Sequence, residues 1–133
     1  MPGTTPWPGR VEGVAQTRTR IRRWLKERGL APRRRWGQNF LTDPQRIPRI
    51  VAAAGPAPGE RVLEVGPGTG ALTESLLEAG AEVVAVEIDR GLAALLEAEV
   101  AARFPDRCRV IVADVLAGKH ALAPEVTAAV TAP

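Results

Sequence analysis

Residues 61–73 read RVLEVGPGTGALT, and this stretch decides the fold of the chain. The short, mostly apolar run at Arg61–Gly66 predicts a buried strand, and the glycine-rich segment Gly66–Gly70 predicts a tight loop. The leucine spacing within Ala71–Ala79 predicts a helix directly after that loop. A strand, a glycine loop and a helix in this order are typical of the first unit of a parallel α/β sheet.

The residues that follow repeat the alternation of strand and helix. Apolar runs predict a second strand at Ala81–Glu87 and a third at Arg109–Ala113, with a helix at Arg90–Phe104 between them. Val126–Ala132 is expected to begin a fourth strand. Buried strands joined by helices imply an α/β fold with a parallel sheet and right-handed crossovers. The sheet is expected to be incomplete after about the fourth strand.

Two helices are predicted upstream of the first strand. Residues 17–29 carry an apolar stripe at helical spacing, and Gly29 is a suitable stop. Asp43-Pro44 has the pattern of a helix cap followed by a first-turn proline, and Gly55 closes that second segment. Pro48 has no amide hydrogen, so it predicts either a kink or a later start of the second helix.

Length and composition narrow the classes of protein that remain. The chain has 133 residues, the size of one domain, and its 45% hydrophobic content excludes a fully disordered chain. No apolar run approaches the roughly 20 residues of a membrane span, and no signal peptide is recognisable. The single cysteine, Cys108, excludes an internal disulfide and is expected to pack beside a strand. We therefore expect a cytoplasmic protein without a membrane partner.

Charge is distributed unevenly along the chain. The whole sequence has 18 Lys and Arg against 15 Asp and Glu, a net charge of +3. Residues 1–35 hold ten basic and two acidic side chains, whereas residues 36–133 hold eight basic and thirteen acidic ones. A basic arm on an acidic body suggests a polyanionic partner for the arm. A solvated arginine-rich helix face is the alternative interpretation.

The glycine loop fits two classes of ligand. Gly66-x-Gly68-x-x-Ala71 satisfies the permissive dinucleotide fingerprint, which favours an NAD-type enzyme. The pattern that includes Glu64 and ends in the third glycine, Gly70, matches instead the S-adenosylmethionine loop of class I methyltransferases.

Two acidic residues follow the next strands. Glu87 lies 21 residues after Gly66, where a carboxylate can accept both hydroxyls of an adenosine ribose. Asp114 follows the third strand and can take the exocyclic amine of an adenine. A solvated acid at the end of a strand is the alternative for Glu87, and a cap or turn is the alternative for Asp114.

The segment Gly37-Gln38-Asn39-Phe40-Leu41 is more specific than any of these pieces. Taken in order with residues 62–73 (VLEVGPGTGALT) and 86–90 (VEIDR), it resembles the ribosomal RNA adenine dimethyltransferase family over about residues 17–132. The resemblance implies a Rossmann-like methyltransferase fold. Pro and Gly content without periodicity predicts a flexible tail at 1–16, and the apolar stripe among arginines predicts a basic helix and connector at 17–35. The resemblance assigns residues 36–133 to the N-terminal part of the methyltransferase domain.

The resemblance also implies a reaction and a site. Members of the family transfer methyl groups from S-adenosylmethionine to the exocyclic amines of two adjacent adenines in small-subunit rRNA, free or in a pre-ribosomal particle. The implied cofactor-binding residues comprise an upstream pair, the loop glycines and the two strand-end acids: Asn39, Leu41, Gly66, Gly68, Gly70, Glu87 and Asp114. No metal is implied.

The sequence departs from the family in one respect. No Asn-x-Pro-aromatic segment, which holds the target adenine in the family, follows Asp114. We therefore assign no catalytic residue and expect a truncated enzyme that keeps the cofactor half and is inactive alone. An NAD-type Rossmann enzyme and a non-catalytic RNA-binding remnant are the alternatives.

Overall fold

The computed structural model describes residues 18–30, 46–118 and 121–133. Its helices are α1 (Arg18–Glu27), α2 (Arg46–Ala54), α3 (Ala71–Glu78), α4 (Arg90–Glu99) and α5 (Pro124–Thr131), and a 3-10 turn follows α4 at Ala101–Arg103. Its strands are β1 (Arg61–Val65), β2 (Glu82–Glu87), β3 (Cys108–Val112), β4 (Leu116–Gly118) and β5 (Ala121–Leu122).

Strands β1, β2 and β3 form a parallel sheet with β2 in the centre. In the register of the sheet, Val84 of β2 lies opposite Leu63 of β1 and Arg109 of β3. The three predicted strands are confirmed to within a residue or two at each end, because apolar runs bounded by turn residues define them. The predicted parallel sheet with helical crossovers is therefore the fold of this chain.

Both faces of the central strand are covered. Val83 and Ala85 point into a cluster with the apolar sides of α2, α3 and α4. Val84 and Val86 point the other way, into a cluster formed with α5. Successive side chains of a strand alternate between the two faces, so the continuous apolar run of β2 requires cover on both sides.

The expected fourth strand at Val126–Ala132 is wrong, because these residues belong to α5. Pro124 occupies the first turn of that helix, where its missing amide hydrogen costs nothing. Val126 and Ala129 lie three residues apart and are both buried against the sheet. Packing at helical spacing on the sheet therefore outweighs the β-branched character of the segment.

Two further differences concern helix α4 and the short strands. The helix ends at Glu99 rather than at Phe104, and the chain continues as a 3-10 turn. Strands β4 and β5 form an antiparallel pair that the sequence pattern does not reveal. Both are only two or three residues long, too short for an alternating pattern to be recognised.

The two upstream helices lie near their predicted positions. The α1 helix ends with two backbone hydrogen bonds, from Gly29 to Lys26 (3.1 Å) and from Leu30 to Leu25 (2.8 Å), the pattern of a Schellman motif. The described part of α2 runs from Arg46 to Ala54 and includes Pro48. The choice between a kink and a later start of this helix stays a prediction, because the residues just before Arg46 lie outside the described ranges. Asp43-Pro44 lies outside the described residues.

The described structure places Cys108 at the start of β3, where it is half-buried against the cluster around Val83 and Ala85. Burial, together with the nearby charges of Glu97 and Glu64, raises the pKa of its thiol to about 11. The expectation that Cys108 packs beside a strand is confirmed in the sense that it is part of the strand. A thiol with a raised pKa is a poor nucleophile at neutral pH.

Candidate functional site

The candidate site lies at the carboxyl edge of the parallel sheet. Strand β1 leads into Gly66, β2 ends at Glu87, and β3 is followed by Asp114. Parallel strands end at the same edge, and ligands of open α/β sheets bind in the crevice outside that edge. The fold therefore brings the loop and the two strand-end acids to one side of the molecule.

The loop between β1 and α3 has a backbone that only glycine adopts easily. The φ angles of Gly66, Gly68 and Gly70 are 68°, 59° and 86°. The Gly66 amide donates to the Val86 carbonyl (2.9 Å), which ties the start of the loop to β2. A methyl group on Gly70 would lie 2.3 Å from Cδ1 of Leu96, so the third glycine also allows α3 to approach α4 closely.

Glu87 is buried at the end of β2, with 3% of its surface exposed. Its Oε1 accepts a hydrogen bond from the Gly68 amide (3.3 Å), and its Oε2 accepts one from the Asp89 amide (2.9 Å). Each carboxylate oxygen has a second lone pair, and Glu87 forms no salt bridge in the described part of the chain. The structure thus places this acid against the glycine loop.

Glu64 is a second buried acid of the site, and the set of residues chosen from the sequence did not include it. The Thr73 hydroxyl of α3 donates a hydrogen bond to its Oε1. Burial raises the pKa of Glu64 from 4.5 to about 7; the Thr73 hydrogen bond lowers it and the charge of Glu87 raises it. The signal that could have identified this residue is the presence of an acid among the apolar residues of β1.

Asp89 has a local structural role. Its Oδ1 accepts hydrogen bonds from the amides of Gly91 (2.8 Å) and Leu92 (3.1 Å), so Asp89 is the N-cap of α4. The cap determines where α4 begins relative to Glu87, two residues earlier. Its contribution to the site is therefore to hold the end of β2 in position.

Asp114 is exposed beyond β3, and its Oδ1 accepts a hydrogen bond from the Leu116 amide (3.0 Å). This is the turn that the sequence analysis gave as the alternative to adenine binding for Asp114. The exposure of the side chain leaves the second carboxylate oxygen accessible from the carboxyl edge. Asn39 and Leu41, the upstream pair of the implied site, lie outside the described residues.

A concave region lies at the amino edge of the sheet, opposite the candidate site. Arg61 and Arg107 line it. The Arg61 guanidinium contacts Glu82 (3.2 Å) and donates to three carbonyls at the end of α5. Arg107 donates to the Leu77 carbonyl (2.8 Å). Both guanidinium groups join helices to the sheet, so the residues that line this concavity have a structural role.

Other kinds of site find no support in the described ranges. Over residues 18–30, 46–118 and 121–133, no three histidine, cysteine or acidic side chains are grouped so as to hold a metal ion. None of the helices in those ranges has the length and apolar character needed to cross a membrane.

The parallel sheet, the glycine loop and the acid at the end of β2 define a Rossmann-like fold of the S-adenosylmethionine-dependent methyltransferase class. A solved structure, the 23S rRNA methyltransferase ErmE, is similar to this chain at 39% sequence identity with a TM-score of 0.53. The similarity covers 61% of this chain and 32% of ErmE.

The model of the ribosomal RNA adenine dimethylase family matches residues 29–123, and the chain belongs to that family. Ribosomal RNA small subunit methyltransferase A of Cutibacterium acnes is 47% identical over 113 residues, which is 83% of this chain and 38% of that protein. Its counterpart in Magnetococcus marinus is 55% identical over 82 residues, 62% of this chain and 29% of that protein. The chain thus spans about a third of the length of these relatives.

Proposed function

We propose that this chain is the cofactor-binding part of an S-adenosylmethionine-dependent rRNA adenine dimethyltransferase. The reaction transfers methyl groups from the cofactor to the exocyclic amines of adjacent adenines in small-subunit rRNA. The observation that carries the proposal is the contact between buried Glu87 and the Gly68 amide, in a chain that belongs to the family. We assign the cofactor site to this chain, and no catalytic residue.

The described residues fit an adenosine cofactor with a positive charge. The carboxylate of Glu87 has lone pairs to accept the two ribose hydroxyls, and the glycines at 66, 68 and 70 have no side chain to obstruct the close approach of a ligand. Asp114, at the rim, would accept the adenine amine. Asn39 and Leu41 would contact the methionine part of the cofactor, which supplies the methyl group on a sulfonium.

The charge of the site favours this cofactor over a dinucleotide. Glu64 and Glu87 are both buried on the same side of the sheet, and neither forms a salt bridge with another described residue. The charge of Glu87, joined by that of Glu64 above its raised pKa of about 7, attracts a sulfonium cation and repels an anionic pyrophosphate. An NAD-type enzyme would bring that pyrophosphate to the start of α3, where Thr73 of the first turn donates its hydrogen bond to Glu64.

RNA is the proposed partner, as small-subunit rRNA or a pre-ribosomal particle, and the cytoplasm is the proposed place of action. The names of the relatives support an RNA substrate, since both the small-subunit enzymes and ErmE are called rRNA methyltransferases. Target adenines must leave their stack to reach a pocket of this kind. The non-catalytic remnant is the second candidate, and it would retain the same RNA contacts.

The first test is cofactor binding by the purified chain, measured by titration calorimetry and thermal shift. We expect S-adenosylmethionine and S-adenosylhomocysteine to bind and raise the melting temperature, and NAD to do neither. Glu87→Gln should weaken binding by about tenfold or more, because a bidentate acceptor becomes a mixed donor and acceptor. Glu97→Gln makes the same change on the exposed surface of α4 and should bind normally.

Two results would contradict different parts of the proposal. Binding of NAD without binding of S-adenosylhomocysteine would exclude the methyltransferase site. Equal affinity in the Glu87→Gln and wild-type chains would remove Glu87 from the site while leaving the cofactor class intact.

A further inference from the structure

The α1 helix has an apolar face held against the body and a basic face turned to solvent. Ile21, Trp24 and Leu25 are buried against Leu92 and Leu95 of α4. The opposite side carries three exposed basic residues, Arg22, Arg23 and Lys26, which we call the basic face. Their spacing of three and four residues places them on one side of the helix.

A buried acid fixes the position of this helix. The side chain of Glu74 is 4% exposed, and its Oε1 lies 3.0 Å from the Arg103 guanidinium and 3.9 Å from that of Arg20 in α1. The Arg20 guanidinium also stacks 4.3 Å from the centre of a Trp24 ring. Glu74 belongs to the first turn of α3, which begins directly after Gly70. The basic face is therefore held rigidly relative to the cofactor loop.

The basic face is electrostatically unfavourable for the helix that carries it. Like charges three and four residues apart on one side of a helix repel each other and destabilise it. No described acid forms a salt bridge with Arg22, Arg23 or Lys26, and the first turn of α1 has no acidic residue to favour the helix dipole. A polyanion bound along this face would offset the repulsion.

We propose that Arg22, Arg23 and Lys26 bind the phosphate backbone of RNA, which α1 thereby positions relative to the cofactor loop. This inference rests on the proposed function for its partner. Arg22 and Lys26 lie about 6 Å apart along the helix axis, so both side chains can contact phosphates of the same RNA strand. Contacts of this kind set the position and orientation of the RNA and carry little sequence preference.

The test is the salt dependence of RNA binding by the full chain, measured by fluorescence anisotropy with a labelled small-subunit rRNA hairpin and no cofactor. The test variant replaces Arg22, Arg23 and Lys26 by Gln. We expect its affinity to fall by about tenfold or more near 100 mM salt, and the slope of log K against log salt to become shallower by about 2–3.

A matched control has the same change of net charge at other exposed positions. It replaces Arg46, Arg49 and Arg109, on α2 and β3, by Gln. We expect a smaller loss of affinity and a smaller change of slope than in the test variant. An unchanged slope in the test variant, or an equal change in both variants, would overturn the proposal.

Folding and cofactor binding are measured in separate experiments. The test variant relieves like-charge repulsion, so we expect its melting temperature at low salt to equal or exceed that of the wild type. Such a melting temperature excludes unfolding as the cause of weaker RNA binding. Calorimetry with S-adenosylhomocysteine examines the proposed function. Cofactor binding without the salt effect would reject only the basic face, whereas the salt effect without cofactor binding would reject only the proposed function.

Discussion

The hydroxyl of Thr73 donates a hydrogen bond to the buried carboxylate of Glu64, joining the first turn of α3 to the end of β1 across the glycine loop. This hydrogen bond partly offsets the free-energy cost of burying the carboxyl group of Glu64. Its energetic consequence depends on pH, because burial and the nearby charge of Glu87 raise the pKa of Glu64 to about 7.

Glu64→Gln should change how stability depends on pH. The pKa of Glu64 rises from 4.5 in the unfolded chain to about 7 in the folded one, so the folded state binds the extra proton between these values. The contribution of protonated Glu64 is fully present below about pH 4.5 and is lost as the pH rises through about 7. Gln cannot titrate, so the variant should gain stability relative to the wild type between pH 4.5 and 8.

Urea unfolding of both chains at several pH values measures this difference. Thr73→Val is the companion variant, because losing the hydrogen bond should raise the pKa of Glu64 further and move the transition to higher pH. A stability difference between wild type and Glu64→Gln that stays constant from pH 4.5 to 8 would contradict the raised pKa.

Gly70→Ala should destabilise the chain by about 2–4 kcal/mol. The new methyl group meets Cδ1 of Leu96 at 2.3 Å, and the residue must keep a φ of 86°. Gly59→Ala is the matched control, with a φ of 81° and no atom within 4 Å of the added group, and it should cost only about 1–2 kcal/mol. Chemical denaturation gives both values.

The difference between the two glycine variants isolates the packing of α3 on α4. Equal costs would show that backbone conformation alone requires Gly70. A larger cost at Gly70, together with weaker binding of S-adenosylhomocysteine, would show that the third glycine sets both the helix contact and the shape of the loop.

Glu74→Gln should cost about 1–3 kcal/mol, because two guanidinium groups lose a buried anionic acceptor. Glu99→Gln is the control. Glu99 pairs with Arg28 at 3.6 Å, and both side chains are about a third exposed, so its loss should cost less than about 1 kcal/mol. Hydrogen exchange should also accelerate at the amides of α1 in Glu74→Gln.

Exchange rates decide between two roles for Glu74. Faster exchange confined to α1 would support its role in anchoring that helix. Unchanged exchange in α1 with a lower global stability would mean that Glu74 acts through Arg103 and the body of the domain alone.

Most of the sheet could be predicted from the sequence. Arg61–Val65, Glu82–Glu87 and Cys108–Val112 are apolar runs bounded by turn residues, and such runs have one stable place in a two-sided α/β sheet. The α5 helix could not be predicted in the same way. Its valines and threonines favour a strand locally, and only the uncovered face of β2 selects a helix there.

The candidate site, too, could be predicted only in part from the sequence. The glycine loop and Glu87 follow from spacing along the chain, because a strand-end acid about 20 residues after the first glycine is a local pattern. The hydrogen bond from Thr73 to Glu64 could not be predicted from spacing along the chain. It joins α3 to β1, and the distance between these two elements depends on how α3 packs. Cofactor binding by the glycine loop and Glu87 stays a prediction, as it does for Asp114, Asn39 and Leu41.

By itself, the sequence determined the order of the three parallel strands and the helices between them, the glycine loop and the family, because local periodicity and short motifs encode them. Only the tertiary structure decided that α5 covers the second face, that Glu64 is buried against Thr73, and that Glu74 anchors the basic helix. Burial and charge pairing depend on what lies across the core, and that information is absent from any single stretch of sequence.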